Sequence, residues 1–172
     1  LDGIVFTVKG ATLDPADHPW AGHTSYSHLS NQGLLDKSEG NKTLRLQFAS
    51  PTTFRSQRRN VPLPLAALVF GSLAERWNYF SPITMPAEVR RFADECLGVG
   101  QYNISSRLVE VAGGKQVGFV GSCSYIALNH DPYWWRLVNL LGEFAFYAGV
   151  GYKTTMGMGQ TRRLRNHGER GT

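Results

Sequence analysis

Residues 149–159 read Gly-Val-Gly-Tyr-Lys-Thr-Thr-Met-Gly-Met-Gly, two Gly-apolar-Gly triplets separated by five residues that include Lys153. Glycine lets backbone N–H groups come close to an anion and permits turns with positive φ. Lys153 adds a cation, and Thr154 and Thr155 add two hydroxyl donors. With Gly149, Gly151, Gly157 and Gly159 they form the donor set that a phosphate-contacting loop needs. The run is not a Walker A loop, because the chain has no G-x-x-x-x-G-K-[ST]. It is not a dinucleotide fingerprint either: it follows a predicted helix and precedes a predicted strand, the reverse of the required order. Nucleotide hydrolysis and hydride transfer lose their main support.

Arginine is clustered in two places, Arg45, Arg55, Arg58 and Arg59 in the first half and Arg162, Arg163, Arg165 and Arg170 after the glycine run. Planar guanidinium groups pair bidentately with phosphate and stack on bases, so the pattern suits a polyanion such as RNA. A solvated basic face is the ordinary use of either cluster alone. The candidate RNA contacts are therefore Arg55, Arg58, Arg59, Arg162 and Arg163 with the glycine-loop residues. Five histidines are present, His18, His23, His28, His130 and His167, and none is assigned catalysis. His23 and His28 are five residues apart, which does not put them on one helical face. Cys96 and Cys123 form no Cys-x-x-Cys pair, so neither a zinc site nor a disulfide scaffold is expected. No metal or cofactor is called for. Trp134 and Trp135 are adjacent on a predicted helix and cannot both face one core. Tyr102 and Phe119 lie on predicted strands, where core packing is the commoner fate and base stacking the alternative.

The elements that must position these groups come from 172 residues with 42% hydrophobic and 12% aromatic content and a net charge of +5. That composition is globular and mildly basic. The most apolar stretch, Tyr133 to Val150, carries Arg136 and Glu143, so no membrane span is expected and the cytoplasm is the default. Gly3 to Leu13 reads as a strand closed by Asp14-Pro15, followed by a loop and a short helix capped at Thr24 or Ser25. Polar residues 36–42 mark an internal boundary. Leu44, Leu46 and Phe48 alternate with Arg45 and Gln47 in a half-buried strand ending at Ser50-Pro51. Pro62 and Pro64 open a helix with Leu65, Leu68, Val69, Leu73, Trp77 and Phe80 on its apolar stripe. A second short helix follows Pro86 and stops at Gly98. Strands Tyr102 to Val111 and Lys115 to Leu128 meet at Ala112-Gly113-Gly114, a hairpin signal. Asp131 and Pro132 start a long helix that ends at Gly149, and a last strand runs over Gly159 to Arg165. From residue 42 the order is βαββαβ, an α+β, ferredoxin-like (RRM-like) domain: four antiparallel strands with the helices on one face.

On these residues a family resemblance emerges. The glycine loop with its internal Lys153, after the last helix of a ferredoxin-like domain, resembles the RAMP superfamily of CRISPR systems. More narrowly, the chain resembles the C-terminal domain of CRISPR repeat-processing endoribonucleases. Phe48-Ala-Ser-Pro-Thr-Thr-Phe54, Pro62-Leu-Pro64, Val69-Phe70-Gly-Ser-Leu73 and Arg76-Trp77-Asn78 match the way that domain opens. Gly118-Phe-Val-Gly121 and the run Phe144 to Gly159 match its second half. The resemblance covers residues 42 to 165, and more loosely the HPWAG…SY segment before them. It implies metal-independent cutting of precursor RNA, the ribose 2′-OH attacking the adjacent phosphate to leave a 2′,3′-cyclic phosphate and a 5′-OH. The partners it implies are the CRISPR repeat transcript and other CRISPR effector subunits.

Family members of this kind have two such domains in tandem, with a proton-transferring His in the first. Here residues 1–41 read as the tail of a preceding domain or a linker, 42–166 as the C-terminal RAMP domain, and 167–172 as a polar tail. The chain thus reads as a fragment whose cutting residues lie upstream. Two rivals share parts of the pattern. One is a non-cleaving RAMP subunit that holds guide RNA in an effector complex. The other is a scaffold that docks a protein through Val150, Met156 and Met158.

Overall fold

A computed structural model describes residues 7–35, 42–111, 114–129 and 131–165. Its elements are helix α1 (Tyr26–Leu35), strand β1 (Thr43–Thr52), a hairpin of β2 (Phe54–Ser56) and β3 (Arg59–Val61), and helices α2 (Ala66–Phe80) and α3 (Val89–Cys96). Strands β4 (Leu97–Val111) and β5 (Gly114–Ala127), helix α4 (Pro132–Ala148), a single 3₁₀ turn (Thr154–Met156) and strand β6 (Thr161–Leu164) follow.

The main sheet has the order β4-β5-β1-β6 with every neighbouring pair antiparallel. That is the ferredoxin-like arrangement expected from the βαββαβ order. Strand alternation divides the sheet into two faces. Leu44, Leu46 and Phe48 of β1 and Phe119, Cys123 and Tyr125 of β5 are buried on the helix side. Tyr125 packs edge-on against Phe70 of α2, ring centres 5.1 Å apart, and its hydroxyl donates to the Pro64 carbonyl at 3.0 Å. Trp77 of α2 meets Phe144 of α4 at 5.1 Å, so the two long helices close over one continuous core. Burial raises the Tyr125 pKa well above its ordinary value, because a phenolate there would have no water.

Helix α1 joins the same core. Tyr26 lies edge-on to Trp77 at 5.1 Å and 5.9 Å from Phe144. The packing of α1 therefore crosses the sequence boundary at residues 36–42. Ser25 caps it, its hydroxyl accepting from the His28 N–H at 3.1 Å. Asp131 caps α4 through Tyr133 N–H and Trp134 N–H, with Pro132 at the first position. Gly149 ends that helix at φ 67°. Of the two adjacent tryptophans, Trp135 is buried and Trp134 stacks on Phe92 of α3.

Several sequence expectations are corrected. Within Gly3 to Leu13, residues 7–13 form no strand, and Val8 is exposed; residues 1–6 lie outside the described residues. An alternating pattern needs a partner strand, and this segment instead enters a turn in which Ala16 N–H donates to the Asp14 carboxylate. Strand β1 runs past Pro51 to Thr52, because the ladder shifts register between Phe48 and Thr52 and absorbs the proline in a bulge. Helix α2 begins at Ala66, leaving Leu65 and Phe80 exposed, while Phe70 is fully buried. Gly98 does not stop a helix: α3 passes directly into β4 at Leu97, and Gly98 pairs with Ile126. The Ala112-Gly113 part of the β4–β5 turn lies outside the described residues.

Candidate nucleic-acid interface

The glycine run closes on itself before it meets anything else. Val150 N–H donates to the Gly159 carbonyl at 2.8 Å, Gly159 N–H to Pro51 at 3.0 Å and Tyr152 N–H to Thr53 at 2.8 Å. Gly151 N–H donates to the Ser72 hydroxyl, and Gln160 N–H to the Ser50 hydroxyl. Gly151 and Gly159 adopt φ of 83° and 74°, and a Cβ on either would strike a backbone carbonyl, Thr53 or Val150. Glycine at these two positions is thus required by the loop's closure onto β1. The hydrogen bonds that close it take up most of the backbone donors. What remains for an anion is chiefly side-chain chemistry, from Lys153, Thr154 and Thr155.

Arg76 anchors the other side. Its Nη1 donates to the Ala148 and Gly149 carbonyls at 2.8 and 2.7 Å, and its Nη2 to Gly151 at 3.1 Å. The first two are carbonyls at the end of α4, where a cation is favoured by the helix dipole as well, and the third belongs to the loop. Burial lowers the Arg76 pKa, and the adjacent Glu75 carboxylate opposes that shift.

With carbonyls turned inward, Lys153 sits at the outer bend in the left-handed region, φ 59°. That conformation costs a non-glycine residue roughly 1–2 kcal/mol. Its ammonium lies 5.8 Å from the centre of the Tyr152 ring. The Arg55 guanidinium lies 5.7 Å from the same centre. One tyrosine thereby draws together the cation of the loop and a cation of the first arginine cluster.

Three arginines of that cluster, Arg55, Arg58 and Arg59, belong to the β2–β3 hairpin, which sequence reading missed, while Arg45 lies on β1. Arg55 pairs with Asn60 and Ser56 with Arg59, and Gln57 and Arg58 form the turn at φ 48° and 63°. Positive φ at both turn residues is the tight hairpin geometry that normally calls for Asn-Gly. Lacking those residues, the segment gave no turn signal. Arg55, Arg58 and Arg59 are all exposed on this small projection.

The second cluster divides. Arg162 lies on the open face, its Nε donating to Gln47 at 2.7 Å and its guanidinium 4.8 Å over the Trp20 ring. Trp20 in turn stacks on Phe146 at 5.7 Å. Arg45 shares the open face, donating to the Ser122 hydroxyl at 3.3 Å. Arg163, one residue on, faces the helices and pairs with Glu143 at 3.2 Å, its side chain only 10% exposed. Strand alternation gives these two neighbours different partners, although both line one cavity beside Glu143 and Phe146. Arg165 shares Glu143 at 3.0 Å; Arg170 lies outside the described residues.

His18 Nδ1 accepts from Trp20 N–H at 3.2 Å, and His23 lines a cavity of about 460 Å³ with Glu143, Arg162 and Arg163. His130 and His167 lie outside the described residues. Among the described residues no three His, Cys, Asp or Glu side chains group as metal ligands would, and no helix is long and apolar enough to cross a membrane. Cys96 and Cys123 are free thiols, the first half-buried and the second buried. Tyr102 is exposed, and Phe119 is part of the core. Tyr152 is the feature that spacing arguments overlooked, although its place between Gly151 and Lys153 was visible.

Comparison with known proteins gives this arrangement a context. Residues 46–161 match the family model described as CRISPR-associated endoribonuclease Cas6. The Mycobacterium tuberculosis (strain CDC 1551 / Oshkosh) CRISPR-associated endoribonuclease Cas6 is 27% identical over 123 residues, 70% of this chain and 38% of that protein. The solved Thermus thermophilus Cas6 (TTHB231) is 28% identical with a TM-score of 0.80, over 88% of this chain and 63% of that one. A Cas6 (TTHA0078) product complex is 33% identical with a TM-score of 0.75, over 86% and 59%. The chain spans about three-fifths of the length of these solved relatives and 38% of the curated one.

Proposed function

The chain belongs to the Cas6 family of CRISPR-associated endoribonucleases, and on that premise we propose that it holds CRISPR precursor RNA for cutting into guide RNAs. It is the C-terminal domain of the enzyme, acting in the cytoplasm in antiviral defence, alongside other CRISPR effector subunits. Residues 1–41 connect it to a first ferredoxin-like domain, and residues 167–172 form a polar tail. In the reaction a ribose 2′-oxygen, losing its proton to a general base, bonds to the adjacent phosphorus while the P–O5′ bond breaks. The 5′-oxygen takes up a proton, leaving a 2′,3′-cyclic phosphate and a 5′-OH without help from a metal. The proton-transfer residues belong to the first domain.

The observation that carries the reading is the meeting of Lys153 and Arg55 at the Tyr152 ring, on a loop that Arg76 pins in place. It supports phosphate contacts by Lys153, Thr154 and Thr155, with Arg55, Arg58 and Arg59 extending along the backbone from the hairpin and Arg162 from the open sheet face. Gly149, Gly151, Gly157 and Gly159 shape the loop that carries them. Arg163 joins only by leaving Glu143.

The test is to mix this chain, and separately a full-length protein containing it, with labelled repeat hairpin RNA in EDTA and to score binding and cleavage together. Binding by both with cleavage by the longer protein alone is expected. Cleavage by the short chain would move the active site to His23 or His28. Binding with no cleavage by either would favour the non-cleaving subunit.

A further inference from the structure

Beside the glycine loop is a cavity of about 180 Å³ lined by Phe54, Arg55, Ser72, Glu75, Arg90 and Tyr152, among others. That volume is below the roughly 300 Å³ at which sites for drug-sized molecules begin, and it suits a single planar ring system. Across it Arg90 Nη1 and Glu75 Oε1 lie side by side at 3.3 Å, with side chains 53% and 74% exposed. The pair is held ready rather than buried. Arg90 reaches Glu75 by laying its stem over Gly71, where a Cβ would sit 3.2 Å from both Cγ and Cδ. Any larger residue at 71 would lift it.

A phosphate is a poor occupant, because the Glu75 carboxylate would repel it. A nucleobase is a good one. Unpaired RNA bases are read on their Watson–Crick edges while stacked on aromatic or arginine planes. Side by side, an arginine N–H and two carboxylate oxygens form the array donor, acceptor, acceptor. The guanine edge is its complement: O6 accepts, and N1–H and N2–H donate. Adenine presents a donor and an acceptor, and uracil sets its O2 against a carboxylate oxygen.

We infer that this cavity is a guanine-reading pocket for an unpaired nucleotide of the bound RNA, with Arg90 donating to O6 and Glu75 accepting from N1–H and N2–H. The base stacks on the Tyr152 ring, beside the exposed Arg55. The inference rests on the RNA-binding reading proposed above and extends it from phosphate contacts, which carry no sequence information, to a base contact, which does.

The experiment measures binding of this chain to fluorescein-labelled nine-nucleotide uridine strands carrying guanosine, inosine or adenosine at the centre. The guanosine strand should bind about tenfold more tightly than the adenosine strand, with inosine, which lacks the N2 amino group, between them. Glu75→Gln replaces one acceptor by a donor and should abolish the preference for guanosine over adenosine. Lys153→Ala should weaken all three strands alike and preserve their order. Equal binding of guanosine and adenosine strands, or a preference that survives in Glu75→Gln, would overturn the pocket while leaving the loop reading intact. Loss of binding to every strand by the unaltered chain would overturn both.

Discussion

Arg76 bonds three carbonyl oxygens at the point where α4 ends and the glycine loop begins. Charged hydrogen bonds of this kind, when broken, leave acceptors without donors at a cost of about 2–4 kcal/mol. Arg76→Met should lower the melting temperature by about 2–4 °C for each kcal/mol lost and weaken RNA binding with it. A thermal melt beside a binding titration would show both; loss of stability with RNA affinity intact would mean that the loop does not depend on its anchor. Tyr125 makes the pH prediction at the same scale. Its pKa is raised by burial, so the folded chain keeps a proton that the unfolded chain loses near pH 10. The stabilisation is whole below that pH and is lost as pH rises towards the folded value. Tyr125→Phe should be the less stable protein at pH 8, lacking the bond to Pro64, and the gap should narrow by pH 11. A gap that stays constant in melts at the two pH values would show that the phenol titrates normally. Sequence reading found Lys153 and the loop glycines by their spacing but missed Arg76 as an anchor. A lone arginine in a helix carries no mark of the carbonyls that it will meet 72 to 75 residues later.

Among the elements, the regular ones were legible. The alternation in β1, the proline-opened α2 and the Asp131-Pro132 start of α4 each carry local signals that survive folding. The β2–β3 hairpin carries none, because Gln57 and Arg58 adopt positive φ without glycine or asparagine. The strain at the turn gives a prediction: Arg58→Gly should stabilise the protein by about 1 kcal/mol through relief of the left-handed conformation, while removing one cation from the interface. A melt that rises with an RNA affinity that falls is the expected pair of results. A fall in stability would mean that the Arg58 side chain, rather than the backbone, holds the turn. Helix α1 is the opposite case, with a legible start at Ser25 but no legible packing partners. Tyr26 seats between Trp77 and Phe144, and no local pattern in 26–35 announces partners so distant in sequence.

For the whole molecule, the order of elements was enough to give the sheet β4-β5-β1-β6, because an antiparallel βαββαβ chain with right-handed crossovers has few alternatives. The distribution of charge over the surface was less legible. Arg162 and Arg163 look alike in sequence but take different partners, one over Trp20 and the other against Glu143. Conversely, Arg55 and Lys153 are 98 positions apart by number and meet at one ring. That meeting is what turns a family match into a specific surface, and it can be tested through the salt dependence of binding. The measurement is the affinity of this chain and of Lys153→Ala for labelled repeat hairpin RNA in EDTA across a series of salt concentrations. Log affinity plotted against log salt should lose about one unit of slope in the variant, one phosphate contact removed. Identical slopes and affinities for the two proteins would contradict the loop's role in holding RNA.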